Sequence, residues 1–194
     1  MNSPSNPVAP LESALMPPEV EQASATLRLT GWLSFWLQLA IAVVSLTVLL
    51  LAIFGRNIND DSNSAFLGIG IFLAGCGIAA LAFSIFLAFR QVRYGRRLRR
   101  PEPALHPSKS DTLRLVEFFL LTNLAGLGLA TIGSEVSVGV LLAKAISQPQ
   151  GAAIYTPDKV IRVLDILVIA ANTNLVAAHA IGSGAAVWLS RRIR

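Results

Sequence analysis

The sequence predicts an all-α integral membrane protein with four transmembrane helices. The chain has 194 residues, of which 54% are hydrophobic and only 14% charged, and its mean hydropathy is +0.61. Soluble domains carry about 25% charged residues, so this composition excludes an ordinary soluble fold. Four long apolar segments are the second observation, and basic residues bunched beside them are the third. Together they predict a multi-pass helical bundle.

Residues 1–27 are predicted to be a disordered tail before the membrane domain, residues 28–194. The tail contains five prolines and three glutamates and no lysine or arginine, a composition that cannot bury much apolar surface. It has neither the basic, apolar start of a secretory signal nor the arginine-rich pattern of a transit peptide. We therefore expect a bacterial protein, or an organelle protein whose targeting segment has been removed.

The first two helices are predicted over residues 32–54 and 65–89. Neither segment has a charged residue, and each exceeds the roughly 20 residues that cross about 30 Å of hydrocarbon. The third helix is expected over residues 112–146, after the cap-like run SKSD, and the fourth over 157–189, with Pro157 as its first residue. The last two are longer than a bilayer requires, so they should tilt or project.

Basic residues predict the orientation of the bundle. Residues 90–114 hold eight lysines and arginines, and the C-terminus adds three arginines, whereas residues 55–64 have one arginine and two aspartates. By the positive-inside rule, both termini and the basic loop 90–111 should be cytoplasmic. Bunching beside apolar segments argues against nucleic-acid binding. The loop also offers a docking surface for anionic lipids or a partner protein, formed by Arg93, Arg96, Arg97, Arg99 and Arg100.

Small residues recur at helical spacing and predict close packing of the helices. The stripes are Gly70/Ala74, Cys76/Ala80/Ser84/Ala88, Gly126/Ala130/Ser134 and Ala178/Gly182/Ala186. Cys76 is the single cysteine of the chain, so no internal disulfide is possible, and we interpret it as a packing residue. The four segments should therefore form a compact bundle.

Polar residues inside the last two apolar segments are the candidate functional residues. Asp165, Asn172 and His179 are seven residues apart, so they share one face of the fourth helix and should point into the bundle. At about 1.5 Å per residue, Glu135 should lie near the level of Asn172, while Glu117 should be interfacial. Glu135 and Asn172 would then begin a route that continues to His179.

Two interpretations of this polar stripe stay open. In the first, the side chains form interhelical hydrogen bonds, and Glu135 pairs with Arg162 or another basic group. In the second, they form a path for an ion or proton, because carboxylate, amide and imidazole together suit a divalent metal. The metal ligands would then be Glu135, Asp165 and His179. Asp165 and His179 are about 21 Å apart along one helix, so they can only be successive stations.

Three segments carry a resemblance to a known family: GRRLRRPEPALHPSKSDTLRL, LAGLGLATIGSEVSVGVLLAKA and IRVLDILVIAANTNLVAAHAIG. They resemble the chloroplast inner-envelope Tic twenty-one family, also called permease in chloroplasts, and its cyanobacterial homologues. The resemblance covers roughly residues 28–189, and its most specific parts are the run VGVLLAKA and the spacing of Asp165, Asn174 and His179. It implies a four-helix inner-membrane protein linked to iron uptake or, by another interpretation of the same family, to protein import.

Two functions are therefore expected. The first is a permease, or a permease subunit, for iron or another metal ion; four helices make a thin pathway, so a homo-oligomer or a partner transporter should complete it. The alternative is a scaffold, assembly or protein-translocation component of a larger membrane complex. No CxxC, HExxH or glycine-rich phosphate loop occurs, so we expect no enzyme and no cofactor beyond a transient metal ion. The resemblance favours the plasma or thylakoid membrane of a cyanobacterium.

Overall fold

Four long helices make up the protein. The computed structural model describes residues 17–58, 65–100, 106–147 and 163–193. Helix α1 spans Pro18–Ile58, α2 Ala65–Arg97, α3 Lys109–Ser147 and α4 Val163–Ile193, and no strand occurs within the described residues. Each helix is long and apolar enough to cross a membrane. The predicted all-α architecture with four transmembrane helices is confirmed.

Helix α1 begins earlier than the sequence suggested. Residues 18–27 continue the helix, although they were expected to belong to the tail; residues 1–16 lie outside the described residues. Pro18 stands at the start of the helix, where its missing N–H has no intrahelical partner to lose. Leu27 is fully buried, and Ser24 Oγ donates a hydrogen bond of 2.7 Å to the carbonyl oxygen of Gly95 on α2. These contacts hold the extension against the bundle.

The connection between α2 and α3 is shorter than predicted. Residues 90–97, expected to be part of the basic loop, form the last two turns of α2. Helix α3 begins at Lys109 after a Ser108 cap, because the backbone N–H of Asp111 donates to Ser108 Oγ at 3.0 Å. The predicted start of the fourth helix at Pro157 lies outside the described residues, which resume at Val163.

Glycine contacts explain how the helices pack. Each helix contacts the next, and α4 closes the bundle against α1. A Cβ atom added to Gly31 of α1 would lie 2.9 Å from the carbonyl oxygen of Ala88, and one added to Gly95 of α2 would lie 2.9 Å from that of Ser24. Only glycine permits this approach of two helix backbones. The compact bundle predicted from small residues is therefore observed.

Arginines and aromatic residues mark one end of the bundle, which we call the arginine end. The start of α1, the connection between α2 and α3 and the end of α4 all lie here, around one cavity. Three arginines lie over aromatic rings at 5.8–5.9 Å: Arg96 over Trp32, Arg90 over Tyr94 and Arg192 over Trp188. Tryptophan and tyrosine are enriched where membrane meets water. We take this level as one boundary of the hydrocarbon, and the opposite end as the distal end.

Candidate functional site

Helix α4 carries three buried polar residues, as its sequence spacing predicted. Asp165 is 3% exposed, and Asn172 and His179 are fully buried. Successive members are about 10.5 Å apart along the helix axis. His179 is nine residues from Trp188, or about 13.5 Å, which places it near the middle of the hydrocarbon. Because each residue meets different partners, they define three layers, named here the His179, Asn172 and Asp165 layers.

The His179 layer receives one polar side chain from every helix: Gln38 of α1, Ser84 of α2, Asn123 of α3 and His179 of α4. Gln38 Nε2 donates to Asn123 Oδ1 at 2.8 Å, and Asn123 Nδ2 donates to Ser84 Oγ at 2.8 Å. Ser84 Oγ in turn donates to Gln38 Oε1 at 3.0 Å. The three side chains thus form a closed hydrogen-bonded ring that joins α1, α2 and α3.

Two backbone carbonyls fix the orientation of the amides in this ring. Asn123 Nδ2 donates to the carbonyl oxygen of Phe119 at 2.7 Å, and Gln38 Nε2 donates to that of Ala178 at 3.3 Å. A carbonyl oxygen only accepts, so each amide must turn its NH₂ group toward it. The side-chain oxygens of Asn123 and Gln38 are therefore acceptors within the ring.

The imidazole of His179 faces an acceptor on each side. Nε2 lies 3.2 Å from the carbonyl oxygen of Gly77, and Nδ1 lies 3.3 Å from Asn123 Oδ1. A neutral imidazole has one N–H and a protonated one has two, so only the protonated ring can donate to both oxygens. The ring also lies directly against Gly126, where an added Cβ would collide with it. In the neutral ring the nitrogen without a proton faces one of these oxygens, so a metal ion could bind it only if that oxygen moved away.

The Asn172 layer is smaller. Asn172 Nδ2 donates to the carbonyl oxygens of Val168 at 3.1 Å and Gly70 at 3.3 Å, and its Oδ1 atom is buried without a hydrogen-bond partner. Between this layer and His179 lie Leu175 of α4 and Ala130 of α3, both fully buried in an apolar cluster. The polar face of α4 is therefore interrupted by apolar packing, and the bundle is closed between the two layers.

The Asp165 layer is an ion pair near the distal end. Lys144 Nζ lies 2.7 Å from Asp165 Oδ2, and the side chains are 18% and 4% exposed. A carboxylate so deeply buried requires such a partner. Lys144 was not among the predicted site residues. The signal for it was its place in the last turn of α3, which an antiparallel neighbour brings opposite the first turn of α4.

Glu135 lies outside the polar core, contrary to the prediction. Its position along the bundle axis is near that of Asn172, as expected. Gly133, two residues away on α3, lies against Asn172, since a Cβ added to it would be 2.5 Å from Asn172 Oδ1. Its side chain, however, is exposed on the outer surface of the bundle. The buried face of α3 passes through Gly133 and Ser137, and a residue two positions from each turns about 200° away. The buried polar face that carries Asn172 and His179 therefore does not include Glu135.

The outward position of Glu135 is compatible with a membrane. Summed along α4 and α3, the residue lies about 27 Å from the level of Trp188, close to the distal boundary of a hydrocarbon layer about 30 Å thick. A carboxylate there can reach water. Its predicted partner Arg162 lies outside the described residues. Glu117 is exposed. Asn174 is half-buried and does not lie on the face of α4 that carries Asp165, Asn172 and His179.

The residues named as metal ligands are not brought together. Within the described residues, no group of three or more histidine, cysteine, aspartate or glutamate side chains could hold a metal ion. The missed members of the core are Gln38, Ser84 and Asn123. The signal for Gln38 and Asn123 was a single amide inside each of two apolar runs, WLSFWLQLAIA and FFLLTNLAGLG, where an uncharged polar side chain requires a partner from another helix.

Four of the five predicted docking arginines share a cavity at the arginine end. Its volume is about 410 Å³, and it is lined by Arg93, Arg96, Arg97 and Arg100. Arg99 is exposed but does not line it.

Comparison with known proteins relates the whole described region to one family. Residues 17–194 match the family model described as Protein of unknown function (DUF3611). The chain is 28% identical to Protein TIC 21, chloroplastic, of Arabidopsis thaliana, across 97% of this chain and 63% of that protein. The chain therefore spans less than two thirds of that relative's length. No solved structure matches. The resemblance first seen in three segments thus extends across nearly the whole chain.

Proposed function

We propose, from the premise that this chain belongs to the DUF3611 family, that it is the membrane-spanning subunit of a metal-ion transporter, with ferrous iron as its cargo. The similarity to Protein TIC 21, chloroplastic, supports a function of this class, since the Tic twenty-one resemblance implies a link to iron uptake. The observation that carries the proposal is the His179 layer, where all four helices contribute a polar side chain at mid-membrane.

Packing alone accounts poorly for this layer. Interhelical hydrogen bonds in membranes contribute about 0.6 kcal/mol each on average, and apolar residues hold these helices together both above and below the layer. Ionisable residues inside a membrane that face the bundle interior commonly belong to ion or proton pathways. Asn172 and the Lys144–Asp165 pair extend the polar positions of α4 toward the distal end.

The observed bundle is the closed form of the proposed pathway. Leu175 and Ala130 separate the two inner layers, and His179 lies directly on the backbone of Gly126. Passage of an ion therefore requires the helices to move apart, or a second copy or a partner transporter to complete the pathway. Glycine at the contact favours such movement, because α4 meets no side chain of α3 at Gly126 that would interlock with it.

Ferrous iron flux into proteoliposomes tests the proposal. The protein would be purified twice, alone and as the complex recovered from native membranes, and an iron-sensitive dye would be enclosed in the vesicles. We expect uptake above that of empty vesicles in at least the native complex. Absence of uptake in both preparations would overturn the transport function. Fractionation of cyanobacterial membranes with an antibody would test the proposed plasma or thylakoid location.

A scaffold or translocation component is the second candidate function. It is favoured by the closed, internally hydrogen-bonded core and by the four arginines that converge at one end. This alternative predicts co-purification with other membrane proteins at fixed stoichiometry. Substitution of the cavity arginines should then release the partner while the bundle keeps its melting temperature.

A further inference from the structure

The geometry points to a binding site for the phosphate head group of an anionic lipid at the C-terminal end of α2. Arg93, Arg96 and Arg97 share one face of the last turns of α2, and Arg100 follows in the turn directly after the helix. They line one cavity of about 410 Å³. Orientation by the positive-inside rule requires basic residues on this side of the membrane, but it does not require them to share a face.

The charges of this arginine cavity favour an anion. Within the described part of the chain, the one salt bridge joins Lys144 and Asp165 near the distal end, so it neutralises none of the four guanidinium groups. Like charges three and four residues apart on a helix repel each other. The partial negative charge at a helix C-terminus is only about half an elementary charge, so it cannot balance the four positive charges of the arginines. A bound anion between the arginines would remove this repulsion.

Phosphate suits the donors that the cavity presents. Each guanidinium group holds five N–H donors in a planar fork that matches two phosphate oxygens. The phosphate of a phosphatidylglycerol head group has two free oxygens, which can accept from one or two of these forks while the other arginines add positive charge; lysines would supply only point charges. The chemical class of the ligand is therefore an oxyanion, and phosphate is the oxyanion of lipid head groups.

The position of the cavity favours a lipid over a dissolved phosphate ion. Arg96 lies 5.9 Å above the ring of Trp32, and Tyr94 is the residue after Arg93; such aromatic side chains mark the edge of the hydrocarbon. From Arg93 to the end of α2 at Arg97 the helix rises about 6 Å. The head-group layer of one leaflet is about 5–7 Å thick, so the cavity spans the level at which lipid phosphates lie.

The test measures binding of phosphatidylglycerol to the full chain in neutral detergent. The cavity variant is Arg93→Gln/Arg97→Gln, and the matched control is Arg99→Gln/Arg114→Gln, which removes the same charge from exposed positions outside the cavity. We expect binding about 30-fold weaker in the cavity variant and less than about threefold weaker in the control. Arg93→Lys/Arg97→Lys keeps the charge but lacks the paired N–H donors of the two guanidinium groups. This variant should bind phosphatidylglycerol about tenfold more weakly than the wild type.

Three outcomes would overturn the site. An equal loss in the control variant would show diffuse attraction to the whole surface. Inorganic phosphate that displaces the lipid at equal concentration would show a site for a free anion. Equal binding of uncharged phosphatidylcholine would show that the arginines do not select a ligand. Melting temperature without lipid checks folding; if the double variant does not fold, Arg97→Gln and Arg100→Gln singly should each weaken binding about fivefold.

Discussion

Removal of Lys144 should destabilise the bundle more than removal of its partner Asp165. The two side chains lie 2.7 Å apart, and Asp165 is 4% exposed against 18% for Lys144. Lys144→Met removes the ammonium group that lies 2.7 Å from this buried carboxylate; removal of one partner of a fully buried ion pair costs about 3–5 kcal/mol. Because Lys144 is partly exposed and lies near the distal boundary, we expect a smaller loss than this, about 2–3 kcal/mol.

The reverse change is milder for a physical reason. In Asp165→Asn the amide keeps the size of the side chain, and the long Lys144 stem can carry its ammonium group toward water. We expect a loss of about 1 kcal/mol. The double variant Lys144→Met/Asp165→Asn removes both charges and should lie within about 1 kcal/mol of the wild type.

Unfolding in mixed detergent and dodecyl sulfate micelles would measure these differences. The control is Glu135→Gln, which alters an exposed carboxylate on α3, the helix that carries Lys144. A coupling energy below about 0.5 kcal/mol in the double-mutant cycle would refute the reasoning, because independent sites add within that limit.

Three further predictions concern the core and can be measured by thermal unfolding and iron uptake. Gly126→Ala should destabilise the protein by about 1–3 kcal/mol because the new methyl group collides with His179, whereas Gly128→Ala, which meets open space, should not; equal stability of the two would contradict the packing. Asn123→Leu should cost about 1–3 kcal/mol because it removes the buried hydrogen bonds that Asn123 makes with Gln38 and Ser84; an unchanged melting temperature would show that the ring does not stabilise the bundle. Glu135→Gln should leave both melting temperature and uptake unchanged, and slower uptake would return Glu135 to the pathway.

The helices and the polar face of α4 were predictable because their signals are local. Apolar length alone fixes a transmembrane segment, and a spacing of seven residues puts Asp165, Asn172 and His179 on one face whatever the neighbouring helices do. Burial of all three confirms this.

The rotation of α3 was not predictable in the same way. This segment is apolar on every side, so its hydrophobic pattern does not tell the face toward the bundle from the face toward lipid. Contacts of Gly126 and Gly133 with side chains of α4 select the buried face, and this choice turns Glu135 outward. The partners of Asn123 could not be predicted because they depend on how the helices pack: Gln38 is 85 residues away in the sequence.

Ferrous iron uptake by His179→Ala proteoliposomes, compared with the Glu135→Gln control at matched protein content, tests the central claim most directly. Both residues are polar positions of the membrane domain, but one lies in the closed core and the other on the outer surface. If the His179 layer is the pathway, uptake should fall at least about tenfold in His179→Ala and stay at the wild-type rate in Glu135→Gln. Equal uptake in the wild type and both variants, with a lowered melting temperature only in His179→Ala, would contradict the account and leave the polar core as a structural joint between the four helices.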